Sequence, residues 1–144
     1  MSGEARTMSD RVFFDSNVLI YAMVSGDFRR ERAQHLVAQG GVISVQVLNE
    51  FVAVARRKMR MPWKELIEAL YAVRTLFPSP VSITLDTHEA ALKIAQQCGF
   101  VIYDAVIVAS ALEANCSMLY SEDLQDGQVI DERLTIRNPF HLLP

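Results

Sequence analysis

Metal-binding cysteine patterns are missing from this chain. It has 144 residues and only two cysteines, Cys98 and Cys116, with no CxxC pair and no Cys/His spacing of ligand type. A structural zinc site is thereby excluded. The two thiols read as buried residues of a reducing compartment, and His35, His88 and His141 as scattered surface or packing residues. No apolar run reaches the roughly 20 residues that a membrane span needs. The opening MSGEARTMSD lacks the apolar stretch of a signal peptide; it reads as a loose tail over residues 1–10 in which Met8 is an alternative start. The expectation is a soluble, cytoplasmic protein with no membrane partner. Positive charge is scarce as well, 14 Lys and Arg against 17 Asp and Glu, for a net charge of −3. A broad basic face for nucleic acid is excluded, so any polyanion must be met by a local patch.

What is present is a core. Apolar residues make up 51% of the sequence, and this length supports one domain rather than two. There is no repeat, low-complexity run or linker, so the domain is expected over 11–140, with 141–144 as a short tail. Arg11 to Phe14 reads as a buried strand, Asn17 to Met23 as a short helix capped by Asp15 or Ser16, and Phe28 to Gln39 as a second helix. A brief strand at Val42-Ile43 precedes a long helix that Ser44 caps and that runs to about Met59. Pro62 opens the next helix, Trp63 to Leu76, with Leu66, Leu70, Val73 and Phe77 on one face. Val81 to Leu85 is predicted as a strand, Thr87 to Cys98 as a helix, and Asp104 to Asn115 as an almost wholly apolar, buried helix. Strands follow at Ser117 to Ser121 and Leu134 to Ile136. Strands alternating with helices predict a three-layer α/β/α sandwich around a mainly parallel sheet.

In such a sheet, ligands bind beyond the carboxyl ends of the strands. Asp15 interrupts the run RVFFDSNVLIY just after a strand, Asp123 follows Met118 to Ser121, and Asp104 follows the apolar segment Phe100 to Tyr103. Each aspartate alone also suits a cap or a turn. Glu50 lies at the edge of the apolar arc of its helix, one turn after Val47 and one before Val54, where it serves either as a half-exposed ion-pair partner or as an acid aimed at Asp15. Two carboxylates about 4 Å apart repel by roughly 4 kcal/mol at an intermediate dielectric. Four converging acids therefore call for protonation or a hard divalent cation, and all-oxygen ligation suits Mg2+ or Mn2+. Such an ion activates water and offsets phosphoryl charge, which points to a phosphodiester substrate.

The segments FFDSNVLIY (13–21), ISVQVLNEF (43–51), IYDAVIVASAL (102–112), LYSEDLQDG (119–127) and NPF (138–140) together resemble a PIN domain, and specifically the VapC-type toxins of bacterial toxin–antitoxin pairs. The resemblance runs through nearly the whole chain. It implies a Mg2+- or Mn2+-dependent endoribonuclease, often homodimeric, inhibited by a small antitoxin. It implies a catalytic set of Asp15, Glu50, Asp104 and Asp123, with Asp15 and Asp104 as direct metal ligands and Asp123 serving a second metal or the outer shell. Glu50 would act through metal-bound water, Ser121 would hydrogen-bond Asp15, and Asn17 and Ser16 would fix the turn. Ser16 replaces the commoner threonine. Asp126 adds a fifth nearby acid and leaves open which of Asp123 and Asp126 is nearer the metal. Glu122 is expected to point away from Asp123.

RNA contact is expected from Arg56, Arg57 and Lys58 at the end of the Glu50 helix, with Arg57, on the same flank as Glu50, foremost; basic residues there also complement the helix dipole. The alternative function is a PIN fold kept as a catalytically weak RNA- or protein-binding module. Receiver and haloacid-dehalogenase-like phosphotransfer folds fit less well, because position 17 is Asn and no paired acid cluster opens the chain.

Overall fold

The computed structural model describes residues 10–24 and 26–141; most of the expected terminal tails lies outside the described residues. β1 (Val12–Phe14) is short, and its neighbours Phe13 and Phe14 are both buried. Successive strand residues leave opposite faces, so both faces of the sheet are covered. The result is an α/β/α sandwich, in which α1 (Ser16–Met23), α2 (Arg30–Ala38), α3 (Val45–Arg57), α4 (Trp63–Leu76), α5 (Leu85–Cys98) and α6 (Ile102–Glu113) precede β2 (Met118–Tyr120), β3 (Val129–Ile130) and β4 (Leu134–Arg137). Among the described residues, no single helix is long and apolar enough to cross a membrane.

The strands lie in the order β1-β2-β4-β3. β1 and β2 are parallel, as are β2 and β4, while β3 runs antiparallel to β4. Phe13, Leu119 and Ile136 stand side by side in register, and all three are fully buried. On the other side of β1, single parallel bridges join Phe13 to Val42 and Ser44 to Val81. The backbone of this second row comes so close to β1 that a Cβ on Gly41 would stand 2.6 Å from the Phe14 ring and 2.8 Å from the Val12 carbonyl oxygen. The chain thus steps outward from β1 on one side, then returns through α5 and α6 to enter β2 on the other. A reversal of winding at the carboxyl ends of two parallel strands opens a crevice there.

The core explains the helices. α3 buries Val47, Phe51 and Ala55, four residues apart and therefore on one stripe. α6 buries every residue from Ala105 to Leu112, as its apolar sequence requires. On α4, Leu66 and Val73 are buried and Leu70 is partly so, whereas Trp63 and Tyr71 stand out in solvent.

Four expectations need correction. The strand predicted over Val81 to Leu85 reduces to one bridge at Val81. Thr84 and Thr87 form a reciprocal capping box, so α5 begins at Leu85 rather than Thr87, and this cap outweighs the β-branched character of the preceding residues. α6 likewise starts at Ile102, which puts Asp104 inside its first turn rather than at its opening. Val42-Ile43 contributes a bridge, not a strand. β3 was not expected; two residues after a turn carry no readable period.

Candidate functional site

The crevice between β1 and β2 is lined with acids. Asp15 ends β1 and is the N-cap of α1, its Oδ1 accepting the backbone N–H of Ser16 at 2.7 Å. Its Oδ2 accepts the Ser121 hydroxyl at 2.8 Å. Ser121 is completely buried, and its oxygen also accepts the backbone N–H groups of Asp123 (3.2 Å) and Leu124 (3.4 Å). One hydroxyl therefore ties the end of β1 to the loop after β2. Asn17 makes a second tie: Nδ2 donates to Asp123 Oδ2 at 3.1 Å, and Oδ1 accepts Glu122 N–H at 3.3 Å.

α3 brings in Glu50 from across the sheet. Ser44 starts this helix, its hydroxyl accepting Val47 N–H at 3.3 Å. Glu50 Oε1 accepts the Ser16 hydroxyl at 3.3 Å, and Oε2 accepts Gln46 Nε2 at 3.2 Å. Gln46 was missed in the sequence; its position four residues before Glu50, on the same helix face, was the available signal. Asp104 enters from the first turn of α6, half-buried.

Burial and neighbouring charge shift three of these carboxyls. Burial pushes Asp15 up to about 7, with the charges of Glu50 and Asp123 adding to the effect and the bonds from Ser121 and Ser16 opposing it. Glu50 is raised by burial and then by the charges of Asp104 and Asp123. Asp104 is raised by burial and by Asp123. Each of the four acids thus takes part in at least one repulsive pairing within the set. Among the described residues no three acids already stand close enough to cage an ion. The donors are all oxygen, one carboxylate is buried without a cationic partner among its bonded neighbours, and the set fits a hard divalent ion.

The other predicted residues separate. Asp126 Oδ1 accepts Asn138 N–H at 2.8 Å, and Asn138 Oδ1 accepts Phe140 N–H at 2.9 Å, so Asp126 holds the turn around Pro139. Glu122 turns away from Asp123: its carboxylate accepts the Tyr21 hydroxyl at 2.5 Å and pairs with Arg29 Nε at 2.8 Å. Arg56 donates to the Met61 carbonyl at 2.8 Å and stacks on Trp63. Arg57 is exposed. Lys58 instead lines a cavity of about 230 Å³ with Ser16, Asn17, Tyr21, Met59 and Asp123. Three larger cavities lie elsewhere among the described residues, so volume alone does not mark this site.

Comparison with known proteins gives three results. The PIN domain family model matches residues 12–125. No curated protein matches the chain in sequence. Solved structures do match in fold. A toxin–antitoxin complex from Klebsiella pneumoniae superposes with a TM-score of 0.67 at 21% identity, covering 89% of this chain and 97% of the other. VapC20 of Mycobacterium tuberculosis, a toxin that cleaves the sarcin-ricin loop, gives 0.64 at 22% identity, covering 78% and 89%. VapBC2 from Rickettsia felis, bound to a DNA fragment from its promoter, gives 0.63 at 17% identity, covering 88% and 98%.

Proposed function

Because the chain belongs to the PIN domain family, we propose that it is a metal-dependent endoribonuclease that hydrolyses RNA phosphodiester bonds as the toxin of a toxin–antitoxin pair. The observation that carries this reading is geometric: Ser16 bonds both Asp15 and Glu50, and Ser121 and Asn17 tie Asp15 and the Asp123 loop together, with Asp104 raised by burial and by the charge of Asp123.

Asp15, Asp104 and Asp123 would hold Mg2+ or Mn2+, and such an ion supplies an activated water and offsets charge on the phosphoryl oxygens. The chain's own residues do the rest. Ser121 and Ser16 hold both oxygens of Asp15, and Asn17 aims Asp123. Glu50, made more basic by burial and by its acidic neighbours, takes the proton of the attacking water; the bonds from Ser16 and Gln46 keep its carboxylate in place. Lys58, which lines the same cavity as Asp123, meets a phosphate of the strand. A small antitoxin would silence the site by covering it. Its existence is suggested by the neighbours, two of which are toxin–antitoxin assemblies. A homodimer in the cytoplasm completes the proposal.

The test is single-turnover cleavage of a structured RNA pool with and without Mn2+. The wild type should cut only with metal, and Asp15→Asn and Asp104→Asn should lose both tight metal binding and cleavage. Metal binding by the wild type without any cleavage would instead make the protein a binding module.

A further inference from the structure

A second cleft opens on the same sheet, beside the carboxyl ends of β2 and β4. Tyr120 and Arg137 are partners in register, so their side chains leave the same face as neighbours. With Met118 they line a cavity of about 610 Å³, which Arg32 of α2, His141 and Asp126 also border. The charge here is opposite to that of the acidic crevice. Asp126 is the one acid, and it is bonded to the Asn138 backbone. Arg32 uses Nε on the Pro139 carbonyl at 3.4 Å, which leaves its two Nη groups uncommitted. The Arg137 guanidinium has no hydrogen bond or ion pair among the described residues. Gly127, with φ of +87°, places no side chain beside it: a Cβ there would lie 3.6 Å from Arg137 Nη1. Tyr120 stacks on Phe14 with ring centroids 5.8 Å apart, so its half-buried ring is backed by the core.

We propose that this cleft binds a nucleoside phosphate, with the phosphate on the guanidinium groups of Arg32 and Arg137 and the base against Tyr120 and Met118. Two guanidinium groups form the planar, multidentate donor set that phosphate oxygens accept, and an aromatic ring beside them, backed by Phe14, suits a base. Tyr120 directly precedes Ser121, whose hydroxyl holds Asp15, so the cleft and the acidic crevice share one strand end. Two sources offer this ligand. A flanking nucleotide of a bound RNA strand would make the cleft a mooring, and that version rests on the ribonuclease reading; a free mononucleotide would make it an independent site.

The experiment titrates the full-length protein in EDTA, where metal-dependent cleavage is off, with adenosine monophosphate and separately with a six-nucleotide oligoribonucleotide. Affinity should fall at least tenfold in Arg32→Gln/Arg137→Gln for one probe or both. Dependence on the arginines for the oligonucleotide alone identifies the RNA strand as the source, and dependence for the mononucleotide identifies the free ligand. Arg137→Gln alone, an exposed change, gives the same reading in a smaller step should the double variant fail to fold. Wild type that binds neither probe, or folded variants that bind both as the wild type does, would overturn the cleft. Cleavage is measured apart: binding here without metal-dependent cleavage sinks the ribonuclease reading and spares the cleft, while cleavage without arginine-dependent binding does the reverse.

Discussion

Asp15 concentrates the energetics of the site in one side chain. It is 4% exposed and its carboxyl is held up to about 7, chiefly by burial. Without metal, the unfolded chain gives up this proton from about pH 4 upward while the folded chain keeps it to about pH 7, so the group's contribution to stability is complete below the lower value and lost through the upper one. Asp15→Asn removes that loss. Urea denaturation of the metal-free protein should show the variant gaining on the wild type between about pH 4 and about pH 7, by up to about 4 kcal/mol in all. Glu50 and Asp104 shift in the same direction and remain in both proteins, with Glu50 relieved of one neighbouring charge in the variant. The same proton competes with a cation. Mg2+ or Mn2+ affinity, read by calorimetry, should weaken by nearly tenfold per pH unit below about pH 7, and a flat profile would detach Asp15 from the metal. The presence of Asp15 as an acid among apolar residues was legible in the sequence. Its partner Ser121 was legible only through the resemblance, because a hydrogen bond between residues more than a hundred apart leaves no local period.

Elements carry these side chains, and their ends decide where the side chains point. α3 delivers Glu50, and it starts where the fully buried Ser44 accepts Val47 N–H. Ser44→Ala should cost about 1 kcal/mol in a denaturation curve, the usual price of a lost N-cap, and should lower cleavage further by loosening the helix that holds Glu50. Substituting Thr75, an exposed residue on α4 that bonds only the preceding turn, should change neither by a comparable amount. The cap was readable because serine before an apolar period is a strong signal. The start of α5 was not, because Val81 to Leu85 has strand-like composition and only the reciprocal Thr84–Thr87 bonds convert its end into a helix. Asp104 shows the same limit: its residue type was readable, but its place in the first turn of α6 depends on where that buried helix packs.

At the scale of the whole molecule, the net charge of −3 and the sheet's reversal of winding pull in different directions. The reversal gathers acids where an RNA backbone would have to lie, and the protein as a whole repels that backbone. Binding must then come from few cationic contacts, and its salt dependence counts them: for single strands, log affinity falls by about 0.7 per log unit of salt for each phosphate neutralised. A slope of about −2 is expected for binding in the presence of Ca2+, which occupies oxygen sites while leaving cleavage slow. Lys58 borders the same cavity as Asp123, so Lys58→Gln should flatten the slope by about 0.7. Arg56 has a comparable position in the sequence, yet its guanidinium is committed to the Met61 carbonyl and the Trp63 ring. Arg56→Gln should therefore leave the slope unchanged while lowering stability slightly. Equal flattening by both substitutions would mean that the strand runs over the outer surface of α3 and not past Asp123.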